Sequence, residues 1–236
     1  FVLNFAMGRL WFQVGVTSAI RELEYEKLYD RGIRVQTLNL PPAARLELLE
    51  ALEHDVLPEN RVYLYEHYTD NCATRVRDRL DQATGGRLAA IGAAPGRQTL
   101  REHTRRHTAR SVLMDWLLMF LMSGVIDSPL TRWEEMFLPA EVERDVRLVR
   151  LPDGRGGEVP LVAAEAVYHT PRHPFPAPER PPVRWPAGLA AGCAAGAVAA
   201  ALGLALRRGF ASARALRALF GAWSALIGGV FGSLGT

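Results

Sequence analysis

The sequence predicts an α+β domain followed by transmembrane α-helices, and three observations carry that expectation. Short alternating or aromatic stretches at 34–40 and 62–68 read as strands, each leading into a segment of helical periodicity. A stretch at 171–186 holds seven prolines in sixteen residues and reads as a semi-rigid linker. Beyond it, 187–206 runs for twenty residues without a charge, long enough to cross a hydrocarbon core about 30 Å thick. The expected divisions are a domain over 1–170, a linker over 171–186, a span over 187–206, an arginine-rich loop over 207–217 and the start of a second span over 218–236.

Taken in order, the first strand places Val35, Leu38 and Leu40 among polar residues. Pro41-Pro42 then opens a helix to about Glu53, with Leu46, Leu49 and Leu52 as its expected core-facing stripe. Residues 57–60 form a turn, and 62–68 return as an aromatic strand that delivers the chain to the Cys72 helix, its pairing partner left open. Helical spacing resumes from Cys72 to Leu80, with Val76 and Leu80 on one face and Arg75, Asp78 and Arg79 largely off it. Gly85-Gly86 stops that helix, and 85–96 reads as a loop. Residues 111–123 form a strongly apolar helix too short to span a bilayer. It reads first as a core helix and second as a lipid-facing or acyl-binding one. The segments 146–151 and 159–168 flank Asp153-Gly154-Arg155-Gly156-Gly157, a hairpin signal.

In the expected span, Gly188, Gly192, Gly196 and Gly203, with Ala199, place small residues down one face and allow close helix approach. Trp185 and Arg207-Arg208 stand at its ends as interface anchors. The loop carries Arg207, Arg208, Arg214 and Arg217 and no acid, which assigns it to the cytoplasm and the large N-terminal part to the outside. Ala190-Ala191-Gly192-Cys193 superficially resembles a lipoprotein processing box. Its place inside a spanning segment makes Cys193 a packing residue instead. The chain opens on Phe1 and ends inside an apolar segment, and is expected to be a fragment.

Composition narrows the function classes. The formal net charge is +3, Lys27 is the only lysine, and no basic run is interleaved with aromatics, which disfavours nucleic acid as a partner. Two cysteines, one of them in the expected span, make no disulfide framework.

Cys72 is the chemically conspicuous residue. It stands at the expected first turn of a helix, where unpaired backbone N–H groups and the positive end of the macrodipole favour thiolate, the attacking form. A small buried packing residue is the competing reading. Asn71 or Asp70 is placed to cap the helix.

The ordered set Val2-Leu3-Asn4-Phe5, Arg34-Val35-Gln36-Thr37-Leu38-Asn39-Leu40, Pro58-Glu59-Asn60-Arg61-Val62-Tyr63-Leu64-Tyr65 and Asp70-Asn71-Cys72-Ala73-Thr74-Arg75-Val76-Arg77-Asp78 resembles the Lnb N-terminal periplasmic domain family. Ile126-Asp127 and Trp133-Glu134-Glu135-Met136-Phe137-Leu138-Pro139 are similar too, so the resemblance covers about 1–170. The Asn-Cys helix start is also similar to that of the lecithin retinol acyltransferase family. The resemblance implies a permuted papain-like periplasmic domain, incomplete at its N-terminus, on a bacterial inner-membrane protein. It also implies thiol acyl transfer: Cys72 takes an acyl chain from a phospholipid as a thioester and passes it to an amine, such as a lipoprotein N-terminus. The N–H of Cys72 would serve the oxyanion. A Gly-His segment that the family carries upstream of Asn-Phe would supply the general base, before Phe1.

Within the chain, His67 is the best internal candidate for that base. The expected catalytic set is therefore Cys72, Asn71 and His67, with no cofactor. His54 reads as solvated, and His169 and His173 border the linker without a signal of their own. Glu102, His103 and His107 have one-face spacing suited to a metal but lack a third ligand at motif spacing, so no metal is expected. Arg101, Arg105, Arg106 and Arg110 precede the apolar helix and read as a solvated basic face, or second as a site for phosphate head groups. Two other function classes stay open: a non-catalytic membrane-tethered binding or scaffold domain, and a cysteine amidase or peptidase acting on cell-wall peptide.

Overall fold

The computed structural model describes residues 9–122, 124–174, 176–207, 218 and 220–222. The motif at 2–5, nearly all of 207–217 and most of 218–236 lie outside those residues. The chain divides into two units, one comprising 1–103 and 124–177, the other 104–123 and 178–236.

The first unit is α+β. Its strands are β1 (Trp11–Gln13), β2 (Ile33–Leu38), β3 (Val62–Leu64), β4 (Arg150–Pro152), β5 (Glu158–Pro160) and β6 (Val162–His169). Its helices are α1 (Ala19–Leu28), α2 (Pro42–Asp55), α3 (Cys72–Ala83), α4 (Arg87–Gly92), the first half of α5 (Leu100–His107), α7 (Arg132–Glu135) and α8 (Pro139–Val146). In the chain, α6 (Val112–Leu121) falls between the two stretches of this unit and belongs to the second unit.

All strand pairs are antiparallel: β1 with β3, β2 with β6, and β4 with β5. The partner of the 62–68 segment is thus present, as β1. The strand itself is shorter than expected, because Glu66 and Asp70 close a turn by mutual backbone hydrogen bonds of 2.9 and 3.1 Å. Leu161 joins the β4–β5 hairpin to the β2–β6 pair. Its N–H donates to Val149 O at 2.8 Å and its carbonyl accepts from Asn39 N at 2.6 Å. In the hairpin turn, Gly154 and Gly156 have positive φ, the conformation that made this segment legible.

The core gathers Leu40, Ala73, Leu88, Met136, Val142, Val146, Val149, Leu151 and Leu161, so it draws on α3, α4, α8, the hairpin and the residue pair after β2, with Leu38 of β2 packed against it. Leu88 is wholly buried inside a segment expected to be a loop. Gly85 and Gly86, at φ +63° and +82°, do end α3, but Gly86 is also the N-cap of α4. On α2 the expected stripe is wrong: Leu46, Leu49 and Leu52 are exposed, while Ala44 and Leu48 pack against the core. Leucines on both sides of this helix made its periodicity ambiguous. Arg79 of α3 pairs with Asp55 at the end of α2, fixing the two helices to each other.

A buried polar knot holds the 96–103 and 131–137 segments together. Glu135, 1% exposed, accepts from Arg97 N at 2.9 Å and Gln98 N at 2.8 Å through Oε1. The same oxygen lies 2.9 Å from Nε2 of the fully buried His103. A carboxylate only accepts, so His103 donates from Nε2. The metal-ligand spacing noted for His103 therefore turns its ring inward to Glu135, and Glu102 is spent on the N–H of Thr99 at 2.8 Å. Arg77, which the periodicity did not single out, is also buried. It donates to Trp133 O at 3.0 Å and lies over the Trp133 ring at 3.9 Å.

In the second unit, Ser111 caps α6 by accepting from Met114 N at 3.2 Å. The core-helix expectation for α6 is overturned. Val112, Leu113, Met114, Trp116, Leu117, Phe120 and Leu121 are all exposed, and the buried residue of the helix is Asp115. Of the arginines expected on a solvated face, Arg105 and Arg106 are instead tied down. Arg105 donates to Pro182 O at 2.8 Å and Arg106 to Pro178 O at 2.9 Å, so the proline-rich segment runs along this region rather than free. α9 (Trp185–Arg207) follows, 23 residues with no charge before Arg207. Among the described residues no helix is long and apolar enough to cross a membrane; several side chains of α9 fall outside that set.

The hydrogen bonds of Glu135 hold its carboxyl below the ordinary glutamate range although burial pushes it the other way. A carboxylate with a lowered folded pKa contributes stability above its unfolded value, near 4.3, that is lost as pH falls through the folded one. Replacing Glu135 with Gln is expected to cost about 2 kcal/mol at pH 7. Urea midpoints measured from pH 7 down to pH 3 should show that difference shrinking below about pH 4.

Candidate functional site

The site is built on the N-terminus of α3, and its geometry begins with Asn71. In extended conformation at the N-cap, Asn71 accepts through Oδ1 from Ala73 N at 2.8 Å and Thr74 N at 2.9 Å. Its own backbone N–H donates to Thr74 Oγ1 at 2.8 Å, completing a capping box. The other half of its amide faces away from the helix: Nδ2 donates to His67 O at 2.7 Å and Phe137 O at 2.9 Å. At 3% exposure every hydrogen-bonding group of this side chain is engaged, so Asn71 is a clamp that positions its neighbour. Asp70, the other expected cap, instead forms a bidentate pair with Arg75 at 2.9 and 3.0 Å. The Arg75 guanidinium in turn lies 3.7 Å over the Tyr63 ring.

Cys72 is the first residue of α3 and is exposed. The cap uses the N–H groups of Ala73 and Thr74, and Arg75 N donates to Asn71 O at 3.1 Å. That leaves the N–H of Cys72 as the amide of this turn still available to a ligand, among the described residues. Burial raises the phenol pKa of Tyr65 and of Tyr63.

The thiol opens on a groove of about 370 Å³. Three elements build it. One face of α3 supplies Cys72, Val76 and Leu80; alternate residues of β2 supply Arg34, Gln36 and Leu38; α8 supplies Pro139, Val142, Glu143 and Val146. The helical residues recur at three- and four-residue spacing and the strand residues at two, as one face of each element requires. The lining is apolar except at the Arg34 end. There Arg34 makes a bidentate pair with Glu143 at 2.8 and 2.6 Å, which holds the Glu143 carboxyl below the usual range. Gln36 donates to Glu143 O at 3.1 Å and Glu165 Oε1 at 2.6 Å.

His67 does not line this groove. Its Nδ1 is 3.4 Å from the Tyr65 hydroxyl, and its ring packs edge-on against Tyr68 and Phe137. Its carbonyl serves the Asn71 clamp. His54 sits against Asn60, and His169 and His173 face Asp30 at 3.3 and 3.6 Å, all away from Cys72. Among the described residues no group of three or more histidine, cysteine or acidic side chains is placed to hold a metal ion. Sequence reasoning missed α8 as the opposite wall. Pro139 at a helix start, with Val142 and Val146 at helical spacing behind it, was the available signal.

Residues 1–106 match the family model described as the Lnb N-terminal periplasmic domain. No curated protein matches the chain, and no solved structure does.

Asn71→Ala removes the cap and leaves the carbonyls of His67 and Phe137 without a donor, which predicts a loss of roughly 2–4 kcal/mol in chemical denaturation. Asn71→Asp keeps the cap but sets a carboxylate against both carbonyls. A variant with wild-type stability in either case would mean that the clamp does not anchor this turn.

Proposed function

Taking residues 1–106 as an Lnb N-terminal periplasmic domain, we propose that this protein is a cysteine acyltransferase of permuted papain-like architecture, anchored in the inner membrane by α9. The observation that carries the reading is an exposed thiol at a capped helix N-terminus, facing a largely apolar groove. Its volume, about 370 Å³, lies within the range of small-molecule sites, and its lining suits an acyl chain better than a peptide. The donor is a membrane phospholipid and the acceptor an amine, such as a lipoprotein N-terminus.

In the first half-reaction Cys72 Sγ bonds to the ester carbonyl carbon. The oxyanion so formed accepts from the N–H of Cys72, the amide the cap leaves over. The C–O bond then breaks, and the lysolipid oxygen takes up the proton that the thiol gave. In the second half-reaction the amine attacks the thioester, the C–S bond breaks, and the thiol recovers a proton as the amide forms. The base that carries the proton between them is expected from the segment that the resemblance places before Asn4, since His67 does not line the groove. A scaffold reading draws on the same fact, that no imidazole lines the groove among the described residues.

The protein incubated with phospholipid vesicles should gain one acyl mass, labile to hydroxylamine, with release of one lysolipid. Cys72→Ala should abolish both. His67→Ala should leave the thioester yield within about threefold of wild type, well short of the 10²–10⁴-fold loss expected on removing a general base. Absence of adduct and of lysolipid alike would favour the scaffold reading.

A further inference from the structure

The second unit sets an unusual helix in water. α6 carries seven exposed apolar side chains, with Leu113 77% exposed, and turns its one charged residue inward. Asp115 is fully buried because Arg105 and Arg184 neutralise it, with N–O distances of 3.4 and 3.5 Å, and because Thr108 Oγ1 lies 3.5 Å away. The usual arrangement of a surface helix, charge outward and apolar face inward, is thus reversed. Arg184 also donates to Ala109 O and directly precedes α9. The N-terminal end of α6 is therefore tied to the start of that long apolar helix, whose first residue, Trp185, is 71% exposed.

The charges around this assembly are one-sided. Arg105, Arg106 and Arg184 are spent inside the unit, but Arg110, just before α6, and Arg180 are exposed, and of the two acids Asp115 is buried. An exposed apolar helix face preceded by Arg110 and tied through Arg184 to the start of a 23-residue helix without a charge before Arg207 fits a lipid surface with anionic head groups. From this geometry we infer that α6 is an in-plane membrane helix, inserting the Leu113–Leu117 face into the head-group and acyl boundary beside α9. The Asp115–Arg184 pair holds it in register with the anchor. The inference needs α9 in the membrane but not the acyl-transfer chemistry.

Spin labels on the full chain, reconstituted in vesicles containing phosphatidylglycerol, test it. Single cysteines replace Leu113, Leu117, Leu46 on α2 and Val198 on α9, in a background with Cys72 and Cys193 changed to Ala. All four are surface positions. Labels at 113 and 117 should show an oxygen-over-nickel accessibility ratio several-fold above that at 46, at a shallower depth than at 198. Nickel access at 113 and 117 equal to that at 46, with 198 deep, would overturn the inference and leave the anchor standing. Labels at 113 and 117 shielded from both reagents would mean that protein, a second copy or another part of the chain, covers the face, and would overturn it too. Aqueous access at all four positions would refute the anchor and the inference together.

Discussion

The Asn71 side chain is the constraint on which the site depends. One amide group does two incompatible-looking jobs: its oxygen ends a helix and its nitrogen holds two carbonyls from other parts of the chain. An aspartate or serine would cap as well but would not donate twice. By joining Phe137 O to the first turn of α3, Asn71 fixes where Cys72 stands relative to α8, the opposite wall of the groove. It also consumes the amide protons of Ala73 and Thr74, so the one that remains is the thiol's own.

Phe137 in turn is held from behind by the Glu135–His103 knot, its ring edge-on to His103 at 5.7 Å. This layer comes from 96–103 and 131–137, and the core residues Met136, Val142, Val146 and Leu161 come from beyond residue 106. The family match therefore ends inside the folded unit, not at its edge. Strand β6, the partner of β2, lies wholly beyond the match, yet β2 supplies a groove wall.

Buried carboxylates are compensated in both units. In the first, carboxylates are buried where backbone N–H groups or arginine meet them, as at Glu135 and Glu141. In the second, the buried carboxylate Asp115 lies under a helix whose apolar side chains face outward. A buried charge is retained only with compensating partners, and Arg105 and Arg184 supply them by reaching across from α5 and from the start of α9. Arg105 and Arg106, which look in the sequence like part of a solvated basic face, are thus ties of this unit.

Local features were legible along the chain. The α3 start at Cys72 with its Asn71 cap, the glycine stop after it, the β2 strand, the proline-opened α2, the glycine hairpin and the apolar character of 112–121 are set by turn chemistry and by periodicities of two and 3.6 residues, which depend on neighbours in the chain. Tertiary structure decided which face of each element is inside. Leu46, Leu49 and Leu52 lost the core to Ala44 and Leu48, α6 turned outward, and Arg77 and His103 went in, because burial depends on what packs opposite. It also decided what shares the groove with the thiol. Arg34, Val76 and Val142 come from three distant segments, and no spacing along the chain encodes their meeting.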